Sequence, residues 1–196
     1  MNRSTRPLAL AAAALMLFGG CSAGSTQSTP AAPSSSAGGA GVLDRLGVQG
    51  KDAVATIDAL DRSTDPRPIE GLQASVKADR LVITDDAGER SLPIPADKFY
   101  LSIAPYLQTT HDCFAHSLSG CQGEQVDKEM HITIVDGAGK KLVDKDVTTA
   151  GNGFVGLWLP RDTSGSVTAT MGDKSGTVPF STGADSPTCL TTLRMN

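Results

Sequence analysis

From Met130 to Val135 apolar and polar residues alternate. Met130, Ile132 and Ile134 fall on one face and His131 on the other, the period-two pattern of a half-buried strand. Similar segments recur at Lys141–Thr148, Phe154–Leu159, Ser166–Met171 and Thr177–Ser181, with turn formers between them at Asp136–Gly139, Gly151–Gly153, Ser164–Gly165 and Gly172–Gly176. Turn signals about every ten residues predict an antiparallel β-sandwich, with Leu157 and Trp158 inside a central strand and Cys189–Arg194 as the closing one. Phe99–Leu107 reads as a further strand, and its aromatic side chains belong to the core.

The pattern upstream is different. After Asp52, a residue suited to capping a helix, Val54, Ile57 and Leu60 recur at helical spacing, which predicts a helix over about Asp52 to Asp61. Val42, Leu43 and Leu46 allow a short helix before it, but Gly47 and Gly50 interrupt a continuous one. Leu72–Lys77 and Arg80–Thr84 read as strands, and the turn Asp85–Gly88 leads into Glu89–Leu92. Pro93 and Pro95 close this part, with a boundary near Asp97. The expected fold class is therefore α+β, mainly β: a small helix and hairpin module over residues 42–97, then a β-sandwich over 98–196.

The first 20 residues form a secretory signal. Arg3 and Arg6 precede the apolar run Leu8–Phe18, which is about half the roughly 20 residues needed to cross a bilayer. The signal ends F-G-G-C, so Cys21 is a candidate for lipidation, although Phe18 stands where such signals prefer Leu. Cleavage just beyond Cys21 is the alternative, and would release a soluble protein. Ser22–Gly41 is Ser, Ala, Gly, Pro and Thr without charge, a composition that forms a tether rather than a core. The whole chain has 17 basic and 21 acidic residues, and loss of Arg3 and Arg6 makes the mature part more acidic still. Its only adjacent basic pair is Lys140 and Lys141, which excludes nucleic acid as a partner.

Chemistry is concentrated in Thr110–Glu124, T-H-D-C-F-A-H-S-L-S-G-C-Q-G-E. Its metal-capable residues run H-x-C-x2-H-x4-C through His111, Cys113, His116 and Cys121. An extended backbone would pair Cys113 with His111 and a helical turn would pair it with His116; either way a thiol gains an imidazole neighbour. Cys189, in T-C-L-T-T-L, supplies a third sulfur if the last strand packs beside this segment. Lipidation of Cys21 leaves three thiols in an oxidising compartment, an odd number that points to a reactive or metal-binding group. Three thiolates suit Cu(I), which accepts low coordination, better than structural zinc, which takes four ligands. The competing arrangement is a Cys113–Cys121 disulfide with Cys189 merely buried. His131, across the strand from Ile132, reads as an exposed sheet histidine rather than a ligand, and Met130 and Met171 read as packing. Ser117 beside His116 lacks the surroundings of a hydrolase nucleophile.

Thr110–Glu124, the segment G-F-V-G-L-W-L-P-R from Gly153 to Arg161, and Thr188–Leu193 together resemble the CueP family of extracytoplasmic copper-binding proteins. F-Y-L-S-I-A-P-Y from Phe99 to Tyr106 supports the likeness, which extends across Val42 to Met195. The resemblance implies copper binding by Cys113, Cys121 and Cys189 and thiol reduction of Cu(II) to Cu(I). It also implies a part in copper tolerance, or in copper supply to secreted enzymes such as superoxide dismutase. The expected protein is a copper binder lipid-anchored to a bacterial membrane, with His111 and His116 as secondary ligands or thiolate-stabilising neighbours. Rival readings are a thiol-disulfide redox protein, weakened by the lack of C-x-x-C, and a disulfide-stabilised β-sandwich binding module. The sequence leaves open whether the protein is a monomer or a homodimer.

Overall fold

The computed structural model describes residues 41–196, so the signal segment and Cys21 lie outside the described residues. Two helices open this part: α1 (Val42–Arg45) and α2 (Ala53–Asp61). The Asp52 side chain caps α2 by accepting a hydrogen bond from the Ala55 N–H at 2.8 Å. The helix buries Ala53, Thr56, Ile57, Leu60 and Asp61. Its stripe is thus centred one position off Val54, and it ends on a buried acid.

A meander follows, with β1 (Gln73–Val76), β2 (Arg80–Asp85) and β3 (Gly88–Pro93) paired antiparallel in that order. The second sheet contains β4 (Lys98–Ile103) between β7 (Val155–Pro160) and β10 (Cys189–Leu190). The third orders β6 (Lys141–Thr148), β5 (Glu129–Asp136), β8 (Ser164–Met171) and β9 (Lys174–Ser181). The mostly-β class and the sandwich are present as expected.

β4 is buried on both faces, from Phe99 to Ile103. Phe99, Leu101 and Ile103 join Val155, Leu157 and Leu159 of β7 against Met130, Ile132, Ile134, Val167 and Ala169 of the four-stranded sheet. Tyr100 and Trp158 point the other way, into a second cluster with Ile57, Leu60, Val76, Leu81 and Ile83. Each fully buried side chain of this size contributes roughly 1.5–3 kcal/mol, so the shared middle sheet joins residues 42–97 to the sandwich through apolar contact. Residues 41–196 belong to one compact unit.

The chain end differs from expectation. The strand foreseen over Cys189–Arg194 is regular only at Cys189 and Leu190, and it runs parallel to β4, pairing Cys189 with Ser102 and Leu190 with Ile103. Ser102 N–H donates to Thr188 O and Ala104 N–H to Leu190 O, but Tyr106 N–H donates to Leu193 O rather than to Thr192. This one-residue slip coincides with Pro105, which has no N–H and restricts Ala104 before it. β4 stops there for the same reason, short of Leu107.

The long connection from Ala104 to Lys128 is held by borrowed backbone partners. Val76 N–H donates to His116 O and Leu118 N–H to Ala74 O, so residues 116–118 cover the free edge of β1. Thr188 N–H and Cys189 N–H both donate to Phe114 O, which ties β10 to the same segment. Those bonds turn the Phe114 side chain outward, where it is 64% exposed.

Candidate metal centre

Two short loops and one strand bring the thiols together. Gly120, with Cys121, closes a turn in which both N–H groups donate to Ser117 O. The Ser117 N–H in turn donates to the Cys121 Sγ at 3.4 Å. Gly123 N–H donates to Asn152 O at 2.7 Å. A Cβ on Gly123 would lie 2.6 Å from Gly153 O, so only glycine lets the Cys121 loop lie against the loop before β7. Cys189 enters from β10, on the β4 face that carries Ser102 rather than Ile103.

Cys113, Cys121 and Cys189, the cysteines among the described residues, are free, and with Ala104 and Phe154 they form a cluster of their own. Cys113 Sγ and Cys121 Sγ are 3.5 Å apart; a disulfide bond measures about 2.05 Å. The donor atoms of His111, Cys113 and Cys121 lie within 4.8 Å of one another, as do those of His116, Cys121 and Cys189. The extended-backbone pairing of Cys113 with His111 is thus the one found, and His116 instead reaches Cys189, its Nδ1 3.7 Å from that sulfur. Phe154 walls both imidazoles, its ring centre 6.3 Å from that of His111 and 4.7 Å from that of His116.

Burial grades the site. His111 is exposed, Cys113 half-buried, Cys121 buried, and Cys189 and His116 are 2% and 0% exposed. The hydrogen bond from Cys113 pulls the Cys121 thiol well below its usual range, helped by bonds from Cys189 and His116 and opposed by burial. Donation to Cys121 pushes Cys113 up to about 11, and hydrogen bonds to Cys113 and Cys121 raise Cys189 as well. Cys121 also accepts from the Ser117 N–H and lies against Cys113, so it is the sulfur best placed to hold negative charge.

Behind His116 stands a group that sequence reasoning missed. Asp61 Oδ1 is 3.1 Å from His116 Nε2 and accepts from Asn152 Nδ2 at 3.0 Å, while its Oδ2 accepts from the Tyr100 hydroxyl at 2.7 Å. Asn152 Oδ1 accepts from the Phe154 N–H at 2.9 Å, joining the aromatic wall to the network. Burial pushes Asp61 up, but the His116, Tyr100 and Asn152 hydrogen bonds outweigh it and leave its pKa lowered. Burial likewise opposes a charged His116, yet Asp61 and Cys121 raise its pKa. A carboxylate on one imidazole nitrogen fixes the ring so that the other faces a metal. Asp61 falls on the buried stripe of α2, four residues after Ile57, and an acid at such a position is the one sign the sequence offered. Nothing local marked Asn152, which reads as an ordinary turn residue between two glycines.

His131 lies elsewhere, on the outer face of the four-stranded sheet, with Nδ1 2.7 Å from Asp146 and Nε2 3.0 Å from Asp144. Met130 is buried in the sandwich core, and Met171 packs against it.

A β-rich fold that gathers thiols and imidazoles around one buried sulfur defines a soft-metal-binding protein. Residues 55–194 match the family described as "Periplasmic copper-binding protein CueP", and the chain belongs to that family. A solved structure titled "Crystal Structure of S.CueP" is 38% identical, with a TM-score of 0.74 over 79% of this chain and 94% of that one. No curated protein matches the chain.

Proposed function

We propose that the protein captures Cu(I) outside the cytoplasm through Cys113, Cys121 and Cys189, with His111 and His116 as imidazole partners. One observation carries this reading: the Cys121 sulfur belongs to both groups of donors that lie within 4.8 Å of one another. Two thiolates and an imidazole in each group match the soft character and low coordination number of Cu(I). Membership of a periplasmic copper-binding family points to the same ion and compartment.

The same thiols reduce Cu(II). Cys113 and Cys121 form one S–S bond, lose two protons and pass one electron to each of two Cu(II) ions, giving two Cu(I) that reduced copies of the protein capture, because the oxidised pair no longer offers thiolates. The 3.5 Å approach of their sulfurs supports this step, since little motion is needed to close the bond. Lipid on Cys21 would keep the protein at the membrane, where it serves copper tolerance or supplies secreted copper enzymes such as superoxide dismutase.

Anaerobic titration of reduced protein with Cu(I) against a chromogenic chelator tests the reading. Cys121→Ser removes a donor from both groups and is expected to weaken binding by about 100-fold or more, a serine hydroxyl being a hard, neutral donor. A Cys121→Ser protein that binds like the parent refutes the proposal. The close Cys113–Cys121 pair also favours a second reading, a thiol-disulfide redox protein. Copper separates the two: in a copper binder one equivalent of Cu(I) protects the thiols from alkylation, and in a redox protein their exchange with a disulfide substrate proceeds unchanged.

A further inference from the structure

The five donors are unequal in position, burial and support. His111 and Cys113 belong to a stretch without regular structure, and one is exposed and the other half-buried. Cys189 is held on a strand, and His116 is pinned by the buried Asp61, which Tyr100 and Asn152 hold in turn. Cys121 lies between the two groups and belongs to both. Ser102, the register partner of Cys189 on β4, is fully buried and its Oγ has no hydrogen-bond partner.

We propose that these donors form two overlapping stations for Cu(I): an outer one of His111, Cys113 and Cys121 that exchanges the ion with the outside, and an inner one of His116, Cys121 and Cys189 that holds it. The proposal rests on the copper reading above and adds direction to it. Copper enters at the exposed imidazole and moves inward by replacing His111 and Cys113 with His116 and Cys189, while its bond to Cys121 persists. The exchange is one for one, a thiolate for a thiolate and an imidazole for an imidazole. The proton lost by Cys189 is matched by one gained at Cys113, and copper stays Cu(I) throughout. Because one sulfur remains bound, the ion is never released to water between stations. The inner station binds more tightly because its ligands are held by rigid elements before copper arrives, whereas the outer ones must be ordered by it.

The test loads full-length reduced protein with one equivalent of Cu(I) and follows three readouts. These are affinity by chelator competition, the rate of transfer to excess bathocuproine disulfonate, and the ¹⁵N shifts of His111 and His116. Cys113→Ser leaves the inner station whole, so affinity is expected to stay within about tenfold of the parent, transfer to slow, and copper to shift His116. Cys189→Ser leaves only the outer station, so affinity is expected to fall by about 100-fold, transfer to quicken, and copper to shift His111 instead. His111→Ala removes an exposed outer donor and is expected to slow transfer while costing less affinity than Cys189→Ser. Equal losses in Cys113→Ser and Cys189→Ser, with transfer in His111→Ala as fast as in the parent, overturn the two-station arrangement in favour of a single three-sulfur site. Failure of the parent to bind Cu(I), or indifference to Cys121→Ser, overturns the copper reading itself.

Discussion

Replacing Asp61 tests how much of the site's order comes from behind it. Its carboxylate meets His116 Nε2, Asn152 Nδ2 and the Tyr100 hydroxyl, and it is itself buried. Asp61→Ala strands these groups without water, and breaking such a buried charged network costs roughly 3–5 kcal/mol, a large share of the about 5–15 kcal/mol that holds a domain folded. Asp61→Asn is milder. An amide oxygen can keep both bonds made by Oδ1, and the amide nitrogen can donate to the Tyr100 oxygen, so about 1–2 kcal/mol is expected. Urea unfolding of the metal-free, reduced proteins measures both, and with a slope of about 2 kcal/mol per molar the alanine variant shifts the midpoint by about 2 M. The effect depends on pH with a definite sign. The Asp61 pKa is lowered from 3.8, so its contribution is complete above 3.8 and fades as pH falls through the lowered value. The His116 pKa is raised from 6.5, so its contribution is complete below 6.5 and fades as pH rises through the raised value. The stability gap between parent and Asp61→Asn is therefore widest between 3.8 and 6.5 and narrows on both sides. An Asp61→Ala protein within about 1 kcal/mol of the parent, or a gap that does not vary with pH, refutes this account of the network.

Three further outcomes follow from the same geometry. In Gly156→Ala the new Cβ would overlap the Tyr100 hydroxyl and lie 2.6 Å from Asp61 Oδ2, so a loss of about 1–3 kcal/mol is expected in urea unfolding. Combined with Tyr100→Phe it should cost less than the two changes separately, because the overlapping oxygen is gone; strict additivity would sink the idea. His131→Ala should bind Cu(I) with the parent's affinity in chelator competition, since both its ring nitrogens face carboxylates on the outer sheet. Cys21→Ala is expected to move the protein from the membrane fraction to the soluble one with its Cu(I) stoichiometry unchanged, and a variant that stays with membranes refutes the anchor.

Much of the fold was legible because its signals are local. Alternation at Met130–Val135 marked a strand that the structure extends by one residue at each end, and Asp52 marked the start of α2. The H-x-C-x2-H-x4-C spacing placed four donors on a short segment, where chain connectivity alone keeps them near one another. The division of those donors was not legible. Whether His111 or His116 joins Cys113 depends on a backbone path that is set by hydrogen bonds to β1 and β10, made by residues far along the chain. Asp61 reaches His116 across 55 positions and Asn152 reaches Asp61 across 91, and neither separation leaves a periodic trace. Local sequence determined which elements form and which side chains can bind a soft ion. Only tertiary packing decided which of them meet, because burying both faces of β4 forces α2 onto one side of the middle sheet and carries its terminal carboxylate against the imidazole that faces Cys189.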